Sequence, residues 1–177
     1  MRVWVGLTGY ARVGKDTVAL MLEELEPRFK RASLGNIIKR SADPVLREYL
    51  GISAFTEDPR EKEIIRDFLV WHGYYRYDEF LDAFKRECEP HPFLVNTRVF
   101  DLREAKWWVE SGGVIVEITR PGVEAAEPRE AENLARLKAH GLIHATLVND
   151  GTLTDLKAKV SDLWSKLKEG AHVLKLV

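Results

Sequence analysis

The chain has a single cysteine, Cys88, among its 177 residues. One thiol forms no internal disulfide and supplies no cysteine cluster for a metal, so both kinds of cross-link are excluded. The five histidines show no metal-ligand spacing, and no serine–histidine–aspartate order is visible. We expect Cys88 to be buried or idle, and we expect the histidines to be structural or exposed.

The chain also lacks an excess of charge of one sign and any apolar run that would span a bilayer. Its 27 lysines and arginines are balanced by 28 aspartates and glutamates, for a net charge of −1. No global field therefore attracts nucleic acid or an anionic membrane. Residues 1–25 begin with a strand pattern instead of the charged and then apolar segments of a secretory signal. We expect a cytoplasmic protein without nucleic-acid or membrane partners.

Short apolar segments alternate with helical patterns along the chain. The predicted strands are Arg2–Gly6, Phe29–Leu34, Phe93–Asn96, Val114–Thr119 and His144–Val148. The predicted helices are Lys15–Leu25, Asn36–Leu50, Asp58–Trp71, Tyr77–Cys88, Asp101–Glu110, Arg129–Ala139 and Thr152–Leu167. This alternation predicts one α/β domain over residues 1–177, with a parallel sheet between helices. Residues 35–92 exceed what one crossover needs, and we interpret them as a helical insertion that covers the substrate.

The most informative segment is GYARVGKDT, residues 9–17, which follows the apolar run VWVGL at residues 3–7. A buried strand here leads into a glycine-bounded loop, and a helical pattern continues the chain. This order of strand, loop and helix N-terminus is typical of phosphate-binding loops. Gly9 and Gly14 allow tight turns that aim backbone N–H groups at phosphate oxygens, and Lys15 adds positive charge over the terminal phosphates.

The spacing GxxxxGK is met, but Asp16 stands where serine or threonine is usual, and Thr17 follows one step later. We expect a magnesium ion to bridge the phosphates of ATP near Asp16 and Thr17. Asp16 would alternatively hold the acceptor in line, and the sequence leaves the two roles open. The predicted nucleotide-binding residues of the loop are Gly9, Ala11, Arg12, Val13, Gly14, Lys15, Asp16 and Thr17.

Polar residues follow two other predicted strands at their carboxyl ends, where ligands of open α/β sheets bind. We expect Arg98 to contact the ligand there. Asn96 stands where a magnesium-orienting aspartate is typical, and as an amide it would accept only from metal-bound water. After the last strand, we expect Asn149 and Gly151 to meet a purine edge, while Thr152 caps the closing helix.

Further arginines follow the fourth strand. Arg120 precedes a proline and a glycine, which would project its side chain in a defined direction. The small and acidic residues that follow lead to Arg129. We interpret residues 120–140 as a lid that closes arginine over transferring phosphates, and an ordinary connection is the alternative.

A third group of candidates lies in the helical insertion. Arg66 and Arg76 would clamp a phosphate by bidentate hydrogen bonds, or they belong to a solvated helical face. We expect this helix to break at Gly73. The nearby Tyr74 and Tyr75 would form a pocket wall or stack on a substrate base.

These motifs resemble bacteriophage deoxynucleoside monophosphate kinases of the P-loop kinase superfamily, over nearly the whole chain. The loop is similar to that family's GKD-T variant, which accounts for Asp16. The segment LGNIIK resembles a family segment of which Lys39 is strictly kept. Asn-Thr-Arg at 96–98 and Arg-Glu-Ala at 103–105 resemble the family's aspartate-valine-arginine strand end and asparagine-glutamate-alanine helix. The segments GG at 112–113, RPG at 120–122 and VNDGTL at 148–153 match closely.

The resemblance implies a three-layer P-loop kinase fold with a five-stranded parallel sheet and a helical substrate-binding insertion. It implies transfer of the γ-phosphoryl group of ATP, with Mg²⁺, to the 5′-phosphate of a deoxynucleoside monophosphate. The catalytic residues would be Lys15, Asp16, Arg120 and Arg129, and the acceptor-binding residues Lys39, Arg66, Tyr74, Tyr75, Arg76 and Arg98. A homodimer is left open, and a phage-encoded protein would act in the host cytoplasm.

Val70, Tyr74 and Tyr75 stand where the family has glutamine, threonine and glutamate, so the preferred base is left open. Two other functions fit part of the pattern. One is another small-molecule P-loop kinase, of the type that phosphorylates a coenzyme precursor. The other is a nucleotide-dependent switch ATPase, which would need a carboxylate at a strand end.

Overall fold

The computed structural model describes residues 1–170. Five strands form one sheet in the order β2-β3-β1-β4-β5, and each pair of neighbours is parallel. The strands are β1 Val3–Thr8, β2 Lys30–Arg31, β3 Phe93–Asn96, β4 Val114–Thr119 and β5 Ala145–Val148. The helices are α1 Lys15–Leu25, α2 Leu34–Leu50, α3 Pro59–Tyr75, α4 Tyr77–Cys88, α5 Leu102–Glu110, α6 Pro128–Ala139 and α7 Leu153–Glu169. The predicted α/β fold with a five-stranded parallel sheet is confirmed.

The residues divide into two compact units. The first contains Met1–Ala32 and the described residues from His91 onward, and it holds the whole sheet. The second is Ser33–Pro90, which contains α2, α3 and α4. Its helices pack around a small core that includes Ala42, Leu46 and Ile65.

In the first unit, helices cover both faces of the sheet. The side chains of β1 alternate between these two faces. Val5 and Leu7 are buried in a core shared with α1 and α7. On the other face, Trp4 contacts Trp107 and Trp108 of α5, with ring centroids 5.6 and 5.1 Å apart. Parallel strands covered on both faces are nearly continuous apolar runs, as Val3–Leu7 of β1 is.

The largest differences between the structure and the sequence interpretation are at the second strand and at the end of α3. The second strand was expected over Phe29–Leu34, but it is only two residues long. Ser33 ends it early, because its hydroxyl accepts the N–H of Asn36 at 3.1 Å and starts α2 at Leu34.

The predicted helix break at Gly73 is wrong, since α3 continues to Tyr75. Gly73 is buried within the helix, and a Cβ atom there would lie 2.9 Å from Cδ1 of Ile38. The glycine therefore serves close packing of α3 on α2. Within residues 1–170, no helix combines the length and the apolar character that crossing a membrane requires.

Candidate functional site: a glycine-bounded loop at the carboxyl end of the central strand

The loop of residues 9–14 joins β1 to α1 and depends on its two glycines. Gly9 has φ +122°, and a Cβ atom at this position would lie 2.1 Å from the carbonyl oxygen of Ile118. Gly14 is the N-cap of α1 with φ +105°. Residues other than glycine rarely adopt such backbone angles. At both positions an added Cβ atom would also lie too close to a neighbouring atom. The first N–H groups of α1 have no partner within the helix and are available to an anion.

Asn149, which follows the edge strand β5, supports the loop through a side-chain hydrogen bond. Its backbone N–H donates to Thr119 at 2.7 Å, in continuation of the β4–β5 pairing. Its side-chain Nδ2 donates to the carbonyl of Val13 at 3.0 Å. A Cβ atom on Gly14 would lie 2.8 Å from the same Nδ2. Asn149 was predicted to bind nucleotide, and its side chain here supports the loop that would bind the phosphates.

Lys15 bends back over the loop that precedes it. Its Nζ donates to the carbonyls of Gly9 and Tyr10, each at 2.7 Å. Burial lowers the pKa of Lys15, the carboxylate of Glu130 opposes that effect, and the charge of Arg98 adds to it. The structure thus brings the loop lysine and Arg98 into one electrostatic neighbourhood. Both were predicted from sequence to bind phosphate.

The two predicted metal ligands, Asp16 and Thr17, lie in the first turn of α1. The Asp16 side chain is 86% exposed and forms an ion pair with Arg31 at 3.4 Å. Among the described residues, no three acidic, histidine or cysteine side chains cluster as a metal site. Mg²⁺ keeps several waters and binds phosphates together with one or two protein oxygens. One carboxylate and one hydroxyl therefore fit a magnesium ion carried by nucleotide phosphates, but not a metal site made by the protein alone.

Asn96 and Arg98 lie at the carboxyl end of β3. The Asn96 side chain is 1% exposed; its Nδ2 donates to Oε1 of Glu104 at 2.7 Å and its Oδ1 accepts the N–H of Arg98 at 3.0 Å. The amide of Asn96 is therefore engaged inside the protein at both of its ends, and the expectation that it accepts from metal-bound water stays a prediction. The guanidinium of Arg98 is exposed, and within residues 1–170 it forms no hydrogen bond or ion pair.

Sequence reasoning did not include Glu104 among the candidates. It is 3% exposed in the first turn of α5, and burial raises the pKa of its carboxyl to about 8, against a smaller opposing effect of the bond from Asn96. In the sequence it is one of two acidic residues, with Glu110, in an otherwise ordinary amphipathic helix. Only the fold reveals that this residue faces inward.

Two further predicted residues line one open cavity of about 590 Å³. Arg12, whose φ is +67°, contributes from the loop, and Arg120 contributes from the end of β4. Residues 122–126 complete the wall. Arg129 is exposed at the start of α6 and does not line this cavity. The structure therefore brings together Arg12 and Arg120, and not Arg129.

Glu130 is a second residue that sequence reasoning missed. It lies at the start of α6, and its Oε1 accepts the loop N–H of Ala11 at 3.2 Å while its Oε2 accepts the N–H of Ala126 at 2.9 Å. A carboxylate therefore accepts one of the loop N–H groups that the sequence predicts for phosphate binding. No sequence pattern signals this contact, because it joins distant parts of the chain.

The segment after β5 is organised by the start of α7. Thr152 caps this helix in a reciprocal arrangement with Asp155, so the predicted capping role is confirmed. A Cβ atom on Gly151 would lie 2.6 Å from Oδ2 of Asp155, which accounts for glycine there. Asp150 forms an ion pair with Lys159.

The remaining candidates lie in the second unit. The Lys39 ammonium lies 5.6 Å from the ring centroid of Phe55. Arg66 forms an ion pair with Glu63 at 3.9 Å, and Arg76 forms one with Glu79 at 3.0 Å. Tyr74 and Tyr75 are 76% and 71% exposed, and Tyr75 stacks on Trp71 with the ring centroids 5.3 Å apart. Aromatic surface exposed to this extent is available to a ligand.

No protein-family model and no curated protein matches the chain. Solved structures are similar to it in fold. Dephospho-CoA kinase from Campylobacter jejuni has a TM-score of 0.51 at 13% identity, over 94% of this chain and 98% of that one. TT1252 from Thermus thermophilus has a TM-score of 0.52 at 17% identity, over 94% and 98%. Shikimate kinase from Acinetobacter baumannii, in complex with shikimate, has a TM-score of 0.50 at 18% identity, over 93% and 94%. The chain therefore has the fold of P-loop kinases.

Proposed function

We propose that this protein is a kinase that transfers the γ-phosphoryl group of ATP to the 5′-phosphate of a deoxynucleoside monophosphate. The observation that carries the proposal is the loop of residues 9–14 with Lys15 folded over it and Arg98 beside it. Such transfer needs little covalent chemistry from the protein. Positioning and charge neutralisation supply most of the catalysis.

The donor phosphates would bind the N–H groups of the loop and of the first turn of α1. Lys15 would then exchange its two carbonyl partners for phosphate oxygens. Because these partners are neutral carbonyls, an anionic phosphate would compete with them effectively. Asp16 and Thr17 would hold a phosphate-bound Mg²⁺, which neutralises charge on the phosphates when it is bound.

The acceptor phosphate would bind Arg98. This guanidinium is exposed, lies near enough to Lys15 to lower its pKa, and has no competing partner in the described residues. A planar guanidinium binds phosphate oxygens in pairs and orients the group for attack. Arg12 and Arg120, which share a cavity, would meet the charge that moves between donor and acceptor.

The choice of acceptor rests on the resemblance to phage deoxynucleoside monophosphate kinases. In the second unit, the exposed stack of Trp71 and Tyr75 supplies an aromatic face of the kind that binds a nucleobase. Lys39, Arg66 and Arg76 are the charged residues of this unit that the resemblance assigns to acceptor binding. We therefore assign recognition of the acceptor base to the second unit and phosphoryl transfer to the loop of residues 9–14.

A second candidate is a kinase for a coenzyme precursor. The likeness in fold to dephospho-CoA kinase favours it, and the loop and Arg98 serve both acceptors equally well. A switch ATPase is a weaker candidate, because the strand-end position that would hold a free carboxylate holds the engaged amide of Asn96.

The test is a coupled assay of ADP release with ATP and Mg²⁺ against a panel of acceptors. The panel contains the four deoxynucleoside monophosphates, dephospho-CoA, shikimate and no acceptor. Turnover that requires a deoxynucleoside monophosphate supports the proposal, and turnover only with dephospho-CoA supports the second candidate. ADP release that needs no acceptor would contradict both. Lys15→Ala serves as the inactive control.

A further inference from the structure

The buried carboxyl of Glu104 belongs to a short chain of hydrogen bonds at the end of β3. Glu104 lies in the first turn of α5 and accepts from Nδ2 of Asn96 at 2.7 Å. Oδ1 of Asn96 in turn accepts the backbone N–H of Arg98 at 3.0 Å. The next residue, Val99, donates its N–H to the carbonyl of Leu7 in β1 at 3.1 Å. The backbone of Arg98 is thus held on both sides.

The side-chain amide of Asn96 has two different ends, and only one orientation lets its oxygen face the N–H of Arg98. An acceptor beside Nδ2 pairs that group in this orientation, whereas a flipped amide would place Nδ2 against the N–H of Arg98, so that two donors would meet. Glu104 is that acceptor. Since both side chains are almost fully buried, water cannot substitute for either of them.

The cost of burying Glu104 shows that packing alone does not explain it. A carboxyl in an apolar interior is unfavourable unless its hydrogen bonds are made, and an apolar residue of similar volume is often as stable or more stable. Burial here is strong enough to raise the pKa of this carboxyl to about 8. A leucine or methionine would fill the same space without that penalty.

We propose that Glu104 is a positioning residue that fixes the Asn96 amide and thereby holds the Arg98 backbone where its guanidinium meets the acceptor phosphate. The part that concerns the acceptor rests on the proposed function. The part that concerns the amide and the backbone of Arg98 stands independently of it. Glu104 touches neither substrate nor the reacting atoms in this assignment.

The first test compares three variants by hydrogen exchange of the Arg98 amide, measured by NMR. Glu104→Leu removes the acceptor, and Glu104→Gln keeps one. Glu117→Leu is the matched control, because Glu117 is also buried and pairs with Lys138 in a different part of the sheet unit. We expect exchange of the Arg98 amide to become about tenfold faster in Glu104→Leu alone. Unchanged protection, or equal acceleration in Glu117→Leu, overturns the assignment.

The second test uses kinetics with ATP and whichever acceptor the panel identifies. Glu104→Leu should raise the KM of the acceptor about tenfold while the KM of ATP stays the same, and Glu104→Gln should restore the wild-type value. Equal changes in both KM values overturn the link to the acceptor. If no acceptor supports turnover, the proposed function fails, while the exchange experiment still decides the role of Glu104.

A third measurement needs no destabilised variant, should Glu104→Leu fail to fold. The charged groups that face Glu104 are Asp101, in the turn before α5, and Arg98. In the wild type, the NMR chemical shift of the Arg98 backbone amide should change in one step as Glu104 ionises, when pH rises through about 8. Glu104→Gln, which leaves both charged neighbours in place, should lose that step. A step that persists in Glu104→Gln comes from another group and overturns the coupling.

Discussion

The carboxylate of Glu130 accepts the backbone N–H of Ala11 at 3.2 Å, although 119 positions separate the two residues. Its second oxygen accepts the N–H of Ala126 at 2.9 Å, so the carboxylate joins the loop to the segment before α6. Glu130 also acts on Lys15 by raising its pKa against the effect of burial. An internal anion thus occupies one of the loop N–H groups that the proposed function assigns to the donor phosphates.

Glu130→Gln is therefore expected to tighten binding of inorganic tripolyphosphate about three- to tenfold, because the anion no longer competes with a carboxylate. Isothermal titration calorimetry without metal measures the dissociation constant directly. Glu132→Gln, on the exposed side of the same helix, is the control for a general change in charge. Weaker binding in Glu130→Gln would instead mean that this carboxylate supports the bound form of the loop.

Lys15→Ala is expected to abolish turnover, by about a hundredfold or more, while the fold remains intact. The ammonium donates to two loop carbonyls and lies 5.4 Å from the ring centroid of Phe100, and none of these contacts is part of the apolar core, so its removal should leave the core unaffected. ADP release measures the activity, and circular dichroism with thermal unfolding measures the fold. Turnover near the wild-type rate would contradict the assignment of the loop.

Gly14→Ala is expected to destabilise the protein more than Gly112→Ala does. Both glycines have positive φ, +105° and +85°, so both variants carry the backbone strain of about 1–2 kcal/mol. Only at Gly14 does a new Cβ also meet Asn149, at 2.8 Å. Urea unfolding of both variants, and of Gly14→Ala combined with Asn149→Ala, gives the comparison. If the double variant loses as much free energy of unfolding as the sum of the losses from the two substitutions, Asn149 does not cause the clash.

Stability is expected to fall as pH rises from about 4.5 towards about 8, because Glu104 has a pKa of about 8 in the folded chain against an ordinary value of 4.5. The folded state binds this proton more tightly than the unfolded state does. The contribution of Glu104 to the free energy of unfolding is therefore complete below pH 4.5, and it is lost as pH rises through the folded-state pKa of about 8. The slope in this window is up to about 1.4 kcal/mol per pH unit. Urea unfolding across the window should show it in the wild type and a flatter profile in Glu104→Gln. Identical profiles would mean that another group is responsible.

Tyr74→Phe and Tyr75→Phe are expected to change the preference among bases while leaving the fold intact. Both hydroxyls are in exposed side chains, and Tyr75 keeps its stacking on Trp71 after the change. Discrimination by apolar contact alone is shallow, about 1–3 kcal/mol, so the wild type should accept more than one base. Catalytic efficiency with all four deoxynucleoside monophosphates measures the profile. If neither variant alters the profile, the base is recognised elsewhere.

The elements whose causes are local could be predicted from the sequence alone. The strand, loop and helix around residues 3–25 follow from an apolar run, two glycines and a helical pattern within one short segment. The cap at Thr152 also depends on a partner three positions away. Alternation of such elements was sufficient to predict a parallel sheet, since parallel strands need helical crossovers.

Tertiary structure decided which of these residues meet. The bonds from Asn149 to Val13 and from Ala11 to Glu130 join positions more than a hundred residues apart, and no local pattern encodes them. The inward direction of Glu104 likewise depends on how α5 lies against β3, because an acidic residue on an amphipathic helix ordinarily faces water. Gly73 was read as a helix break, since glycine has low helix propensity, but close packing against Ile38 outweighs that preference.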